Sequence, residues 1–283
     1  MTIDTAENPT VTVAIPTLRR AALLPDAIDS VLAQTYKSFC LLIIDNNEDS
    51  DTGDVVKGYR DPRIVYARPA ASLSAIAAWN RCVECCSTPY LVILGDDDRL
   101  HSTFLERSVS ALEGNPSVGF SFTHANKTDK QWNVLRLWGY DFIRAGLSTG
   151  WEYLHFTLQH ACCISLAPTV MVRMEVHQSI GKYQAMYAAN TFDLNFYLRA
   201  ATQFDTYFID EVLVDYRLHD QQLTEEHWRT AGRPTGKIGT YLELIGLISQ
   251  VQGVGIDRGF LQERLAYCTS ELSALLRVAL PNL

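Results

Sequence analysis

Short apolar runs alternate with helix-spaced segments through the first hundred residues. Val11 to Ile15 reads as a strand halted by Pro16-Thr17. Leu24, Ala27, Ile28, Val31 and Leu32 then recur at helical spacing, with Pro25 tolerable in a first turn. Phe39 to Ile44 is a second strand, ending at Asp45-Asn46-Asn47. Glu48 to Asp54 is polar and reads as loop or helix start. Arg63 to Tyr66 is a short strand and Ser74 to Cys86 a helix. Tyr90 to Leu94 is apolar without polar alternation, the mark of a strand buried on both faces. It runs straight into Gly95-Asp96-Asp97-Asp98.

The later pattern is less regular. Ser102 to Leu112 predicts a helix stopped by Gly114-Asn115-Pro116. Val118 to Thr123, Pro168 to Val172 and Tyr207 to Val214 predict strands, the last leading into Asp215-Tyr216-Arg217-Leu218-His219. Trp151 to Gln159 reads as a helix and Phe192 to Thr202 as an amphipathic one. Lys127 to Gly150 is polar with embedded aromatics, as in a flap or binding loop. After Gln222 the character changes. Glu225 to Lys237, with Gly232, Arg233, Pro234 and Gly236, reads as a linker. Tyr241 to Val251 and Phe260 to Leu280 read as helices. The second carries an apolar stripe of Leu261, Leu265, Cys268, Leu272, Leu275 and Leu276, suited to packing on the main domain or to a dimer contact. The expected division is therefore 1–224 and 225–283.

Alternating strands and helices imply an α/β fold with a mainly parallel sheet flanked by helices. In such sheets ligands bind beyond the carboxyl ends of the strands. The first, second and fourth strands end in Pro16-Thr17-Leu18-Arg19-Arg20, Asp45-Asn46-Asn47 and Asp96-Asp97-Asp98, so polar groups collect on one rim. Three adjacent carboxylates repel one another and are costly to desolvate. A divalent cation would neutralise them. A solvated turn capping the next helix is the competing account.

Composition narrows the partners. The 283 residues are 47% hydrophobic and 20% charged, with a net charge of -8. General attraction to nucleic acid or to an anionic membrane does not follow from such a balance, and an anionic ligand would need local metal or arginine. Met1 to Thr10 lacks a signal-peptide pattern, no apolar run reaches membrane-spanning length, and a cytoplasmic location is expected. Seven cysteines, an odd number, argue against a disulfide framework. Cys82, Cys85 and Cys86 lack a partner pair at zinc-site spacing.

With these residues in view, Val11 to Thr224 resembles a family-2 glycosyltransferase of the GT-A fold. Val-Ala-Ile-Pro-Thr-Leu-Arg-Arg20 is similar to the family's V-x-I-P-T-Y-N-R. Ala27 to Tyr36 matches its first helix, and Leu42-Ile-Ile-Asp45 its I-V-V-D-D strand end. Trp79-Asn80 and Leu94 to Leu100 resemble its metal-binding region. Asp193 to Arg199 resembles the segment of the catalytic base, and Tyr216-Arg-Leu-His219 the closing R-x-H. The chain departs from the pattern at Arg19 (usually Asn), Gly95 (often Asp) and Phe192 (usually Glu).

The resemblance implies transfer of a sugar from a UDP-, GDP- or dTDP-linked donor to a saccharide or small-molecule acceptor, by single displacement with inversion. It implies Mn²⁺ or Mg²⁺ on Asp98, with His219 completing the metal shell or binding the diphosphate. Asp193 would be the base. Pro16, Thr17, Arg20 and Asp45 would line the nucleotide pocket, Asp96 and Asp97 would contact donor or metal, and Arg217 would neutralise phosphate. Trp132, Trp138, Trp151 and His160 fall toward the acceptor side without an assigned role. A degenerate member that binds nucleotide sugar without turnover is the first alternative. A nucleotidyltransferase is the second, although the chain lacks a glycine-rich phosphate loop followed by Lys or Arg near the first strand.

Overall fold

A computed structural model of the chain describes residues 8–46, 51–140, 143–160, 165–184, 191–220, 222, 241–246, 248 and 258–279. The described strands are β1 (Val11–Thr17), β2 (Phe39–Asp45), β3 (Ile64–Ala67), β4 (Tyr90–Ile93), β5 (Arg99–Leu100), β6 (Val118–Thr128), β7 (Val134–Trp138), β8 (Gly146–Ser148), β9 (Val170–Arg173) and β10 (Asp205–Arg217). The helices are α1 (Leu24–Leu32), α2 (Asp51–Lys57), α3 (Ala75–Cys85), α4 (Phe104–Glu113), α5 (Gly150–His160), α6 (Met174–Ile180), α7 (Phe192–Ala201) and α8 (Arg258–Ala279).

The sheet runs β3-β2-β1-β4-β9-β6-β10-β5. β3, β2, β1 and β4 are parallel. β9 is antiparallel to both β4 and β6, so β6 points the same way as β4. β10 lies parallel to β6, and β5 and β7 add antiparallel edges. This is the mixed, mainly parallel α/β sheet that the strand–helix alternation predicts. All five residues from Val11 to Ile15 are fully buried, as are Ile28 and Val31 of α1 and Phe104 and Leu112 of α4. Burial of each such side chain contributes roughly 1.5–3 kcal/mol.

Several boundaries differ from the sequence reading. β1 continues through Pro16 and Thr17, pairing them with Ile44 and Asp45. The proline is tolerated because β4 has already parted: its ladder ends at Ala14, which accepts from Leu94 N–H at 2.9 Å. The missing Pro16 N–H therefore interrupts no ladder. The segment 127–150, expected as a loop, holds β7 and β8 and the end of β6. α7 is buried on nearly every side rather than amphipathic. α5 begins with a capping box: Glu152 Oε2 accepts from Thr149 N–H at 2.7 Å, and Glu152 N–H donates to Thr149 Oγ1.

The chain divides into two compact units. The first is Met1–Leu147, Ser165–Lys182 and Phe204–Leu218; the second is Ser148–Ile164, Tyr183–Gln203 and His219–Leu283. The expected break near 224 differs from this division, because the second unit draws on three stretches of chain rather than one appendage. The expected linker 225–237 lies outside the described residues, as do Cys162 and Cys163. Of the stripe on α8, Leu261 and Cys268 are buried while Leu276 is exposed. Among the described residues no helix is long and apolar enough to cross a membrane.

Candidate active site

The carboxyl end of β4 turns sharply at Gly95, where Asp98 N–H donates to Gly95 O at 3.2 Å. Asp96, Asp97 and Asp98 are all buried, at 2%, 7% and 2% exposure. Two cationic or donor groups hold them there. Arg20 Nη1 donates to Asp96 Oδ1 at 3.0 Å and to Asp97 Oδ2 at 3.1 Å. The Arg217 amide donates to Asp98 Oδ1 at 3.1 Å. A Cβ at position 95 would stand 2.7 Å from Asp97 Oδ1 and 2.8 Å from Asp98 Oδ2. Both carboxylates fold back over this residue, so any larger side chain here would have to displace them.

Burial and the Asp97 charge push the Asp96 carboxyl up to about 6, against the pull of Arg20 and Thr17. Asp98 is pushed well above the ordinary carboxylate range by burial and the Asp97 charge, despite the Arg217 amide. Converging oxygens that resist ionisation are what a hard divalent cation would stabilise. The donor set at this strand end is all carboxylate oxygen, which suits Mg²⁺ or Mn²⁺ better than a thiophilic metal. Among the described residues no group of three or more His, Cys, Asp or Glu is arranged as a metal cage. The remaining ligands of a bound cation would be substrate oxygens or water.

A second layer steadies this end of the sheet. Arg217 Nη2 donates to Asp26 Oδ2 at 2.7 Å, and Arg99 Nη2 to Asp26 Oδ1 at 3.0 Å. Trp132 Nε1 reaches the same carboxylate at 3.3 Å. The guanidinium carbons of Arg99 and Arg217 lie 3.5 Å and 3.7 Å from the Trp132 ring centroid. Burial raises the Asp26 pKa, but Arg217 and Arg99 more than offset it and hold the carboxyl below its usual range. Arg217 thus turns its backbone to Asp98 and its side chain to an Asp26–Trp132 clamp. The phosphate role expected of Arg217 stands beside this structural one; neither Asp26 nor Arg99 lies in a motif that points to the clamp, and only the aromatic content of 127–150 hints at Trp132.

Asp45 ends β2 opposite Thr17 and is fully buried. The Tyr66 hydroxyl donates to Asp45 Oδ2. Burial and the Asp45 carboxylate push the Tyr66 hydroxyl up to about 12. Asn46 makes a two-way pair with residue 73: Nδ2 donates to Leu73 O at 2.7 Å and Oδ1 accepts from Leu73 N–H at 2.6 Å. Arg19 sits between Leu18 and Arg20 with φ of 57°. That left-handed conformation suits asparagine, the residue usual at this point of the family pattern, better than arginine.

Asp193 and His219 belong to the second unit. α7 begins at Phe192 with Thr191 as N-cap, so Asp193 lies in the first turn rather than capping the helix. Its Oδ1 accepts from Leu194 N–H at 2.8 Å. Burial and the charge of Glu243 nevertheless push its pKa up to about 6. Glu243 is 2% exposed. It accepts from Thr191 Oγ1 at 3.1 Å and Asn195 Nδ2 at 2.9 Å, and Arg199 Nε donates to Asn195 Oδ1 at 3.0 Å. No local pattern around residue 243 signals this role. His219 is buried, and its N–H donates to Gln222 Oε1 at 3.4 Å. The structure therefore gathers Thr17, Arg20, Asp96, Asp97, Asp98 and Arg217 in the first unit and Asp193 with Glu243 in the second.

An acidic strand end on the carboxyl rim of a mainly parallel sheet with an antiparallel insertion is the arrangement expected of the GT-A fold. The profile described as "Glycosyl transferase family 2" matches residues 12–175, and the chain belongs to that family. A relative described as an uncharacterized glycosyltransferase of Methanocaldococcus jannaschii is 24% identical over 217 residues, 75% of this chain and 72% of its own. The structure of S. aureus TarS 1–349 in complex with UDP-GlcNAc superposes with a TM-score of 0.69 at 12% identity, covering 95% of this chain and 74% of that one. The mannosyltransferase PcManGT of Pyrobaculum calidifontis, in complex with GDP-Man and Mn²⁺, gives 0.61 at 15% identity, with 100% and 79% covered.

Proposed function

We propose that this glycosyltransferase moves a sugar from a nucleoside-diphosphate donor to an acceptor hydroxyl, with inversion at the anomeric carbon. The observation that carries the reading is the buried carboxylate turn at the end of β4, held by Arg20 and the Arg217 amide. Neighbours of the same fold whose descriptions include UDP-GlcNAc or GDP-Man and Mn²⁺ support the donor class and the metal. Asp98, with His219, would hold the cation. When bound, Mn²⁺ or Mg²⁺ supplies Lewis-acid stabilisation of charge on the departing diphosphate.

The chain's own groups divide the remaining work. Asp45 accepts hydrogen bonds from base or ribose, with Tyr66 fixing its carboxylate, and Pro16 and Thr17 shape the adjoining wall. Arg20 orients Asp96 and Asp97 toward the donor. Asp193 Oδ takes the proton from the acceptor hydroxyl as its oxygen bonds to the anomeric carbon and the diphosphate leaves with the glycosidic electron pair. A carboxyl near 6 is suited to that step, being largely ionised at neutral pH yet more basic than an exposed aspartate.

A thermal-shift panel of UDP-, GDP- and dTDP-sugars tests the proposal, each with Mn²⁺ and with EDTA. One donor should stabilise the protein strongly with Mn²⁺ and weakly with EDTA. Equal stabilisation in EDTA would remove the metal. No response to any nucleotide sugar would remove the reading. Product NMR showing retained configuration would remove the single displacement.

A further inference from the structure

The first unit holds a pair of adjacent cations that, among the described residues, have no carboxylate partner. Lys127 on β6 stands directly opposite Arg136 on β7, and Tyr216 on β10 stands beside Lys127 on its other flank. Residues in direct register project to the same face, so Arg136, Lys127 and Tyr216 form one row across three strands. Lys127 Nζ lies 3.5 Å from the Trp138 ring centroid and 5.8 Å from that of Tyr216. Like charges directly opposed across strands are destabilising, and this pair persists in a chain of net charge -8. Lys127 is 7% exposed. Among the described residues neither Lys127 nor Arg136 forms a hydrogen bond or ion pair with a carboxylate. Burial and the neighbouring Arg136 lower the Lys127 ammonium to about 8, the mark of a cation awaiting an anion rather than one already matched.

Space and position fit a ligand. An open pocket of about 300 Å³ is lined by Arg136, Leu137, Trp138 and Gly139. β6 and β10 run in the direction of β4, so this row lies on the sheet's carboxyl rim. Tyr216 precedes Arg217 on β10, so the row shares the rim with the acidic turn while its side chains project from the opposite face of the sheet to that of Arg217. An aromatic ring beside two cations suits a sugar ring that carries a negative group.

From this arrangement we infer that Lys127, Arg136 and Tyr216 form an anion subsite that receives a carboxylate or phosphate group carried by the acceptor. The identification with the acceptor rests on the glycosyl-transfer reading; the anion site does not. Lys and Arg bind such groups through charge-assisted hydrogen bonds, with the Tyr216 ring flanking the pair.

Thermal shift of the full chain with sodium glucuronate, inorganic phosphate and neutral glucose, at matched ionic strength, tests the site. Wild type should be stabilised by glucuronate, by phosphate or by both, and not by glucose; the stronger anion identifies the acceptor group as carboxylate or phosphate. Lys127→Met keeps an apolar stem against Trp138. It should melt above wild type without anion, because the opposed charge is gone, and bind the anion about tenfold more weakly. Arg136→Gln should weaken binding in the same way. An anion response of equal strength in wild type and Lys127→Met, or none in wild type, would overturn the site. A wild type that responds to anion but to no nucleotide sugar would overturn the glycosyl-transfer reading while leaving the anion site in place.

Discussion

Two carboxylate clusters in this protein use the same residue type for opposite ends. In the first unit, Asp96 and Asp98 meet an arginine, a backbone amide and a third aspartate, and still hold their protons above the usual range. In the second, Asp193 meets the backbone amides of Leu194 and of its own residue, while neutral Thr191 and Asn195 serve its neighbour Glu243. Like-charge pressure is common to both. What differs is the direction in which it is relieved. In the proposed reading, three carboxylates crowded on one turn would be relieved by a cation, while a single carboxylate raised mainly by its own burial, with a smaller push from Glu243, would be relieved by accepting a proton. On that reading burial and the neighbours' charge, rather than the aspartate itself, would select metal binding or base chemistry.

The sharpest way to break this contrast is Asp193→Asn. With the proposed base removed, kcat should fall about 10³-fold while the donor's thermal shift persists; wild-type turnover would move the base elsewhere. Next comes pH. A carboxyl raised in the folded state favours folding below its unfolded value, and that contribution is lost as pH rises through the folded value. For Asp96 the window runs from about 4 to about 6, with a loss on the order of 2–3 kcal/mol. Urea midpoints of the metal-free protein should therefore be higher at pH 5 than at pH 7. Asp96→Asn should flatten that slope, and Asp98→Asn should abolish stabilisation by Mn²⁺.

A smaller effect sharpens the second cluster. Burial is the main cause of the raised Asp193 pKa, and Glu243→Gln removes the smaller contribution of charge, so the acid limb of kcat/KM should move modestly to lower pH with the plateau mainly retained. An unmoved limb would separate Glu243 from the base. The smallest effect concerns the entrance to the first cluster. Arg19→Asn relieves a left-handed backbone and should stabilise the protein by about 0.5–1 kcal/mol in urea titration.

The site of the first unit was largely legible because it is local. Gly95 to Asp98 is contiguous, and Thr17 and Asp45 end strands whose apolar runs are plain. Arg20 follows three residues after Thr17 and needs only the turn between them. What the sequence could not display depends on chain folding back from afar. Asp26 meets Arg217 across 191 residues, and Glu243 meets Asn195 across 48. Neither carries a pattern of its own. The extension of β1 through Pro16 was hidden for a related reason: proline ends a strand only where its N–H is needed, and that depends on when β4 departs.

Trp132 gives the molecule an optical property. Its indole lies between two guanidinium groups and donates to the carboxylate they share, and one of those arginines is the residue whose amide holds Asp98. Indole emission shifts with the charge around the ring, so a change in Arg217 would be written into the colour of the light Trp132 emits. The wild-type spectrum minus that of Trp132→Phe isolates this signal from the other four tryptophans, and makes the acidic turn readable without a label.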